Sequence, residues 1–177
     1  MFDCACRFFK QGCLLVLILV LNMSVCSSVY SEDASKLKVA FVFNFTKFVK
    51  WPNSVEEAGG ELQICLLGAV DPDFFQIDGR AIRNFTLKIR QLLPKDNLSE
   101  CRMLFVSRSA DIALVLEQVE NQAILTVGEG REFVDEQGMI GLYVQESRIR
   151  FDINYERAKA SQLNISSKLL QLAGRVI

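Results

Sequence analysis

CRMLFVSRSADIALVLEQVENQAILTV, residues 101–127, holds two apolar runs with a helical segment between them. Residues 101–106 are short, apolar and of the type found in buried strands. Ile112, Val115, Leu116 and Val119 then recur at helical spacing. Residues 123–127 form the second apolar run, stopped by Gly128 and Gly130. Strand, helix and strand in this order read as a βαβ unit, which implies parallel strands covered on both faces.

The flanking segments extend the pattern. Residues 62–68 read as another buried strand, closed by Gly68 and by Asp71-Pro72-Asp73. Residues 85–90 alternate apolar and polar, as a half-exposed strand does. Beyond the central unit, residues 139–144 and 149–153 flank a polar turn at Glu146-Ser147 and predict a hairpin. Ile165, Leu169, Leu172 and Val176 share one helical stripe and predict a terminal amphipathic helix. Residues 34–51 are ambiguous: Leu37, Phe41, Phe45 and Phe48 have helical spacing, yet residues 39–43 have the composition of a strand. Length selects the helix, and Pro52 ends it. The expected fold is α/β: a mainly parallel sheet flanked by helices on both faces, with a C-terminal β-hairpin and amphipathic helix.

The N-terminus bears on compartment. Arg7 and Lys10 precede an apolar run of roughly nine residues, the length of a signal-peptide core and too short to span a bilayer. Small residues follow, with cleavage expected between about residues 26 and 31; an uncleaved membrane anchor is the alternative. Residues 1–31 are thus read as a signal peptide and residues 32–177 as a single exported domain. Of six cysteines, Cys4, Cys6, Cys13 and Cys26 belong to the leader. Cys65 and Cys101 remain, an even number in an oxidising compartment, and are expected to form a structural disulfide; two buried thiols that never meet are the alternative.

Composition and motifs exclude more than they assign. The formal net charge of −1 falls to about −2 when Asp3, Arg7 and Lys10 leave with the leader, and no basic run points to nucleic acid. The mature chain has no apolar segment of transmembrane length. Histidine is absent from the whole sequence, which removes the commonest general base and metal ligand, and any Ser-His-Asp or Cys-His arrangement. Gly128-Glu129-Gly130 follows a strand as a dinucleotide loop would, but Phe133 stands where the third glycine belongs. Asp71, Asp73 and Asp78 fit no EF-hand spacing, and capping explains them. No enzyme, cofactor or metal is expected.

Three segments together carry a resemblance: residues 38–52 with their F-x-K-F-x-x-W-P ending, Ile64-Cys65-Leu66-Leu67-Gly68, and Arg150-Phe151-Asp152-Ile153-Asn154, which continues to residues 165–173. From about residue 35 to the end the chain resembles the YfiR-like family of periplasmic proteins. The resemblance implies a small, non-enzymatic α/β domain, expected to be a homodimer. Its relatives include repressors that bind the periplasmic portion of an inner-membrane diguanylate cyclase, limiting cyclic-di-GMP and biofilm formation; regulation of a sensor kinase, or a periplasmic small-molecule-binding module, is the alternative. The resemblance also implies the Cys65–Cys101 pairing. Some relatives carry a second cysteine pair near the terminal hairpin, and this chain has none there.

Six residues are singled out as a candidate partner or dimer interface. Trp51 is the only tryptophan, and either anchors a partner or caps the domain's own core. Arg150 and Asp152 would share one face of a strand, either as a charged recognition site or as a solvated edge. Leu169, Leu172 and Val176 would face a partner if the terminal helix does not pack at home.

Overall fold

The computed structural model of the chain describes residues 28–93 and 95–177, with side chains from residue 35 onward. Most of the expected signal peptide, and its earlier cleavage position, lies outside the described residues. Lys36–Ile177 form one compact unit, and the account below concerns it.

The first element is helix α1, Ser28–Phe48. It buries Val39, Val42 and Phe45 and leaves Leu37 exposed, with Phe41 and Phe48 only half-buried. The expected stripe therefore has the right period and the wrong phase. The slim valines let the helix lie close on the sheet, while Phe41 and Phe45 reach the Phe151 ring, at 5.9 and 5.2 Å between centroids. The helix also stops earlier than Pro52 alone would require. Val49–Lys50 form strand β1, paired antiparallel with β9, Asn164–Ile165.

The main sheet has seven strands, and most of it is parallel. In chain order its members are β2 (Gly60–Leu67), β3 (Ala81–Ile82), β4 (Phe85–Leu92), β5 (Met103–Val106), β6 (Leu125–Glu129), β7 (Ile140–Gln145) and β8 (Arg148–Ile153). Their spatial order is β3-β4-β2-β5-β6-β7-β8. The five central strands run parallel, and β3 and β8 are antiparallel edges, so the sheet is mixed. Between the strands lie helix α2 (Asn53–Ala58), a 3-10 helix (Pro72–Ile77), α3 (Ile112–Gln118), α4 (Glu132–Asp135), α5 (Tyr155–Ala160) and α6 (Ser167–Leu170).

Strand alternation separates two cores. Leu62, Ile64, Leu66, Met103 and Phe105 join α1 in one. Cys65, Leu104 and Val106 join Val115, Leu116 and Val119 of α3 in the other. The sheet is thus flanked by helices on both faces, as buried parallel strands require. Asp71 caps the 3-10 helix, accepting from the Asp73 amide at 2.9 Å, whereas the Asp78 carboxylate accepts from the Ile89 amide of β4 at 2.8 Å. The glycine-rich turn after β6 is filled from within. A Cβ on Gly128 would lie 2.2 Å from the Phe133 ring, so the glycine lets that ring pack against the strand.

The C-terminal segment departs from expectation. In place of one amphipathic helix from Ile165 to Val176 there are β9, the single turn of α6, and an extended tail. The tail is drawn out by backbone bonding to the β8 edge: Gly174 donates to Phe151 O, Ile153 to Arg175 O, and Ile177 to Ile153 O, at 2.8–2.9 Å. Backbone groups of an open strand edge outbid the next helical turn, which only Leu169 among the three expected interface residues would have anchored in the core. Helix α5 has no counterpart in the sequence reading. Asn154 caps it, accepting from the Arg157 amide at 2.9 Å.

Candidate functional site

The expected site residues fall into an inner and an outer group. Cys65 and Cys101 are fully buried and joined as a disulfide across a separation of 36 residues. Cys65 lies on β2 and Cys101 just before β5, whose strands run side by side, so the bond ties the sheet centre beneath α3. Trp51 is 3% exposed. Its indole donates to Arg102 O at 3.0 Å, and its amide donates to Glu56, which also holds Arg83 at 3.1 Å. The ring therefore faces the domain's own core. Leu169 is buried as well.

Arg150, Leu172 and Val176 are exposed. Arg150 lies on β8, Leu172 just after α6, and Val176 in the tail that pairs with β8. Arg150 stands opposite Tyr143 in the β7–β8 ladder, and the tail passes beside the same tyrosine, since a Cβ on Gly174 would lie 2.5 Å from its hydroxyl. Val176 bridges to Ile153. Arg150 and Asp152 share a face of β8, but only Arg150 meets solvent.

Asp152 is completely buried, which explains why it differs from the solvated edge that sequence alone allowed. Its carboxylate accepts from the Tyr143 hydroxyl at 2.9 Å, from Arg175 Nε at 3.2 Å and from Arg131 Nε at 3.4 Å. Arg175 reaches on to Asp135 at 2.9 Å, and the Arg131 guanidinium stacks 4.7 Å from the Tyr143 ring centre. A buried carboxylate is tolerated when hydrogen-bonded donors replace its lost hydration. Burial, and then the Asp152 carboxylate, push the Tyr143 phenol above its ordinary value. The network pins β7, β8, the tail and the turn before α4 to one another. It positions the surface around these elements.

Tyr143, Arg131 and Arg175 were not singled out from sequence. Tyr143 carried a signal, because it shares the polar face of the alternating β7–β8 pattern. The two arginines carried none, since loop and tail meet Asp152 only in three dimensions. Among the described residues no cluster of His, Cys, Asp and Glu could hold a metal ion, and no helix is long and apolar enough to cross a membrane.

No curated protein is significantly similar to the chain. Among solved structures, it is similar to an ABC domain in complex with L-Trp from Streptococcus pneumonia, at 14% identity and a TM-score of 0.43. That alignment covers 66% of this chain and 55% of the other, so the chain spans about half of that structure's length. The family model described as YfiR/HmsC-like matches residues 35–174. That match runs from α1 through the disulfide and the Asp152 network to the start of the tail, and the chain belongs to the YfiR/HmsC-like family.

Proposed function

We propose that the chain is a periplasmic regulatory protein that binds the periplasmic portion of an inner-membrane diguanylate cyclase and holds it inactive. Membership of the YfiR/HmsC-like family over residues 35–174 carries this reading. The buried disulfide supports an oxidising compartment. On this reading the chain acts by contact and performs no reaction. The contact surface is the exposed part of β8 and the C-terminal segment, Arg150, Leu172 and Val176, while buried Asp152 fixes the shape of the β8–tail region from inside; Trp51 and Leu169 belong to the domain's own core. A homodimer formed through the same apolar tail residues is part of the proposal.

The test is the intracellular cyclic-di-GMP level in the native host with and without the gene. Complementation uses one copy that retains the leader and one that lacks it. A rise on deletion, reversed only by the exported copy, supports a periplasmic brake on a cyclase. An unchanged level in both strains discards the cyclase and leaves a sensor kinase as the partner to test.

A further inference from the structure

Open parallel sheets bind ligands outside the carboxyl ends of their strands, most often where the strand order reverses. Here the reversal lies between β2 and β5, and that crevice is closed. Ser107 and Ser109 hydroxyls pair at 2.8 Å, Ser109 Oγ accepts from the Ala69 amide at 2.8 Å, and a Cβ on Gly68 would lie 2.2 Å from Ser107 Oγ. A cleft of about 630 Å³ opens instead farther along the same end of the sheet, at the carboxyl ends of β5, β6 and β7. This volume suits a small organic molecule, whose sites span roughly 300–1,000 Å³.

The cleft has two chemically distinct sides. Leu142, Val144 and Ile149 line the apolar side; Leu142 is buried and Ile149 half-buried, and Val144, 62% exposed, is a branched aliphatic group left uncovered on a strand. Lys38, Arg108, Arg131, Glu129 and Glu132 supply charge, three cations against two carboxylates. Glu129 is already engaged at both oxygens, by Lys38 and by the Arg108 amide. Arg108 approaches Glu132 only at 3.7 Å, outside hydrogen-bonding distance. Arg131 is bonded among the described residues through Nε alone, to Asp152. Its guanidinium carbon lies 4.7 Å over the Tyr143 ring, and its two terminal nitrogens have no other bond among the described residues.

We infer that this cleft binds an amphipathic carboxylate: a small organic acid whose carboxylate takes the Arg131 fork, with Arg108 alongside, and whose apolar body lies on Leu142, Val144 and Ile149. A paired, planar N–H fork matches a carboxylate in two parallel bonds. The exposed aliphatic wall selects an apolar body over a bare inorganic anion. This site is independent of the partner reading, and its ligand would bind whether or not a cyclase is the target.

The test is methyl NMR of the mature protein titrated with octanoate, and with octanamide as its uncharged counterpart. Expected are saturable shifts of the Leu142, Val144 and Ile149 methyls with octanoate, and about tenfold weaker binding of octanamide. Arg131→Gln and Val144→Glu should each weaken octanoate about tenfold. Because Arg131 also touches buried Asp152, Arg108→Gln is the companion variant that leaves that network intact, and it should weaken octanoate in the same direction. Absence of saturable shifts at millimolar octanoate overturns the inference. So does equal binding of the amide, which would mark the wall as a non-specific apolar patch, or unchanged affinity in all three variants.

Discussion

At the residue scale, Asp152 organises more of this surface than any other side chain. One buried carboxylate serves a phenol and two half-exposed guanidinium groups that come from three separate places in the chain. Asp152→Asn keeps the volume but removes the charge, leaving Arg131 and Arg175 facing a weaker acceptor. Unfolding in urea should show a loss of about 2 kcal/mol, since hydrogen bonds to charged groups contribute more than neutral ones. Tyr143 gives the same network a pH signature. Its raised phenol titrates later in the folded chain than in the unfolded one. Its stability contribution is therefore complete below the unfolded value, near pH 10, and is lost as pH rises through the folded value. Melting temperature measured against pH should fall more steeply above about pH 10 in the native protein than in Tyr143→Phe; parallel curves would refute the assignment.

At the element scale, the disulfide joins neighbouring strands at the sheet centre beneath α3. On the chain-entropy model a loop of 36 residues contributes about 4 kcal/mol. Cys65→Ser and the double serine variant should both lower the midpoint of chemical unfolding, by nearly equal amounts, because either change opens the same loop. This pairing was legible in the sequence because Cys65 and Cys101 are the two cysteines left once those of the expected leader are set aside. The six longer strands of the main sheet were legible for a local reason, since β-branched and aromatic runs bounded by glycine and proline mark themselves; the two-residue β3 was not. The phase of α1 was not. Residues 37–49 are apolar on more than one side, so period alone fits both the Leu37–Phe41 stripe and the Val39–Val42 stripe; shape against the sheet decides. The tail was misread for a different reason. Helical spacing at Leu169, Leu172 and Val176 is real, but the bonds that stretch residues 174–177 come from β8, more than twenty residues earlier by the backbone pairing of Gly174 with Phe151.

At the scale of the whole molecule, the interface candidates divide by exposure. Trp51, Asp152 and Leu169 are interior, and Arg150, Leu172 and Val176 are at the surface. Leu172 is 65% exposed and Val176 is 46% exposed, so polar replacements there cost the fold little; surface substitutions stay within about 0.5 kcal/mol. Leu172→Asp with Val176→Asp should keep the native melting temperature while weakening a pull-down of the cyclase's periplasmic portion. The double variant should also run as a monomer in sedimentation. Undiminished capture would move the contact surface elsewhere on the domain. The charged and apolar sides of the proposed contact region could not be located from sequence, because they depend on which strand edge the tail covers.

The bond between Cys65 and Cys101 also means that continuity of the backbone is not needed to keep the domain's halves together. Lys95 stands exposed, with a positive φ of 78°, inside the loop that the disulfide closes. A single tryptic cut after Lys95 would leave two fragments that migrate as one band without reductant and separate into two when reductant is added.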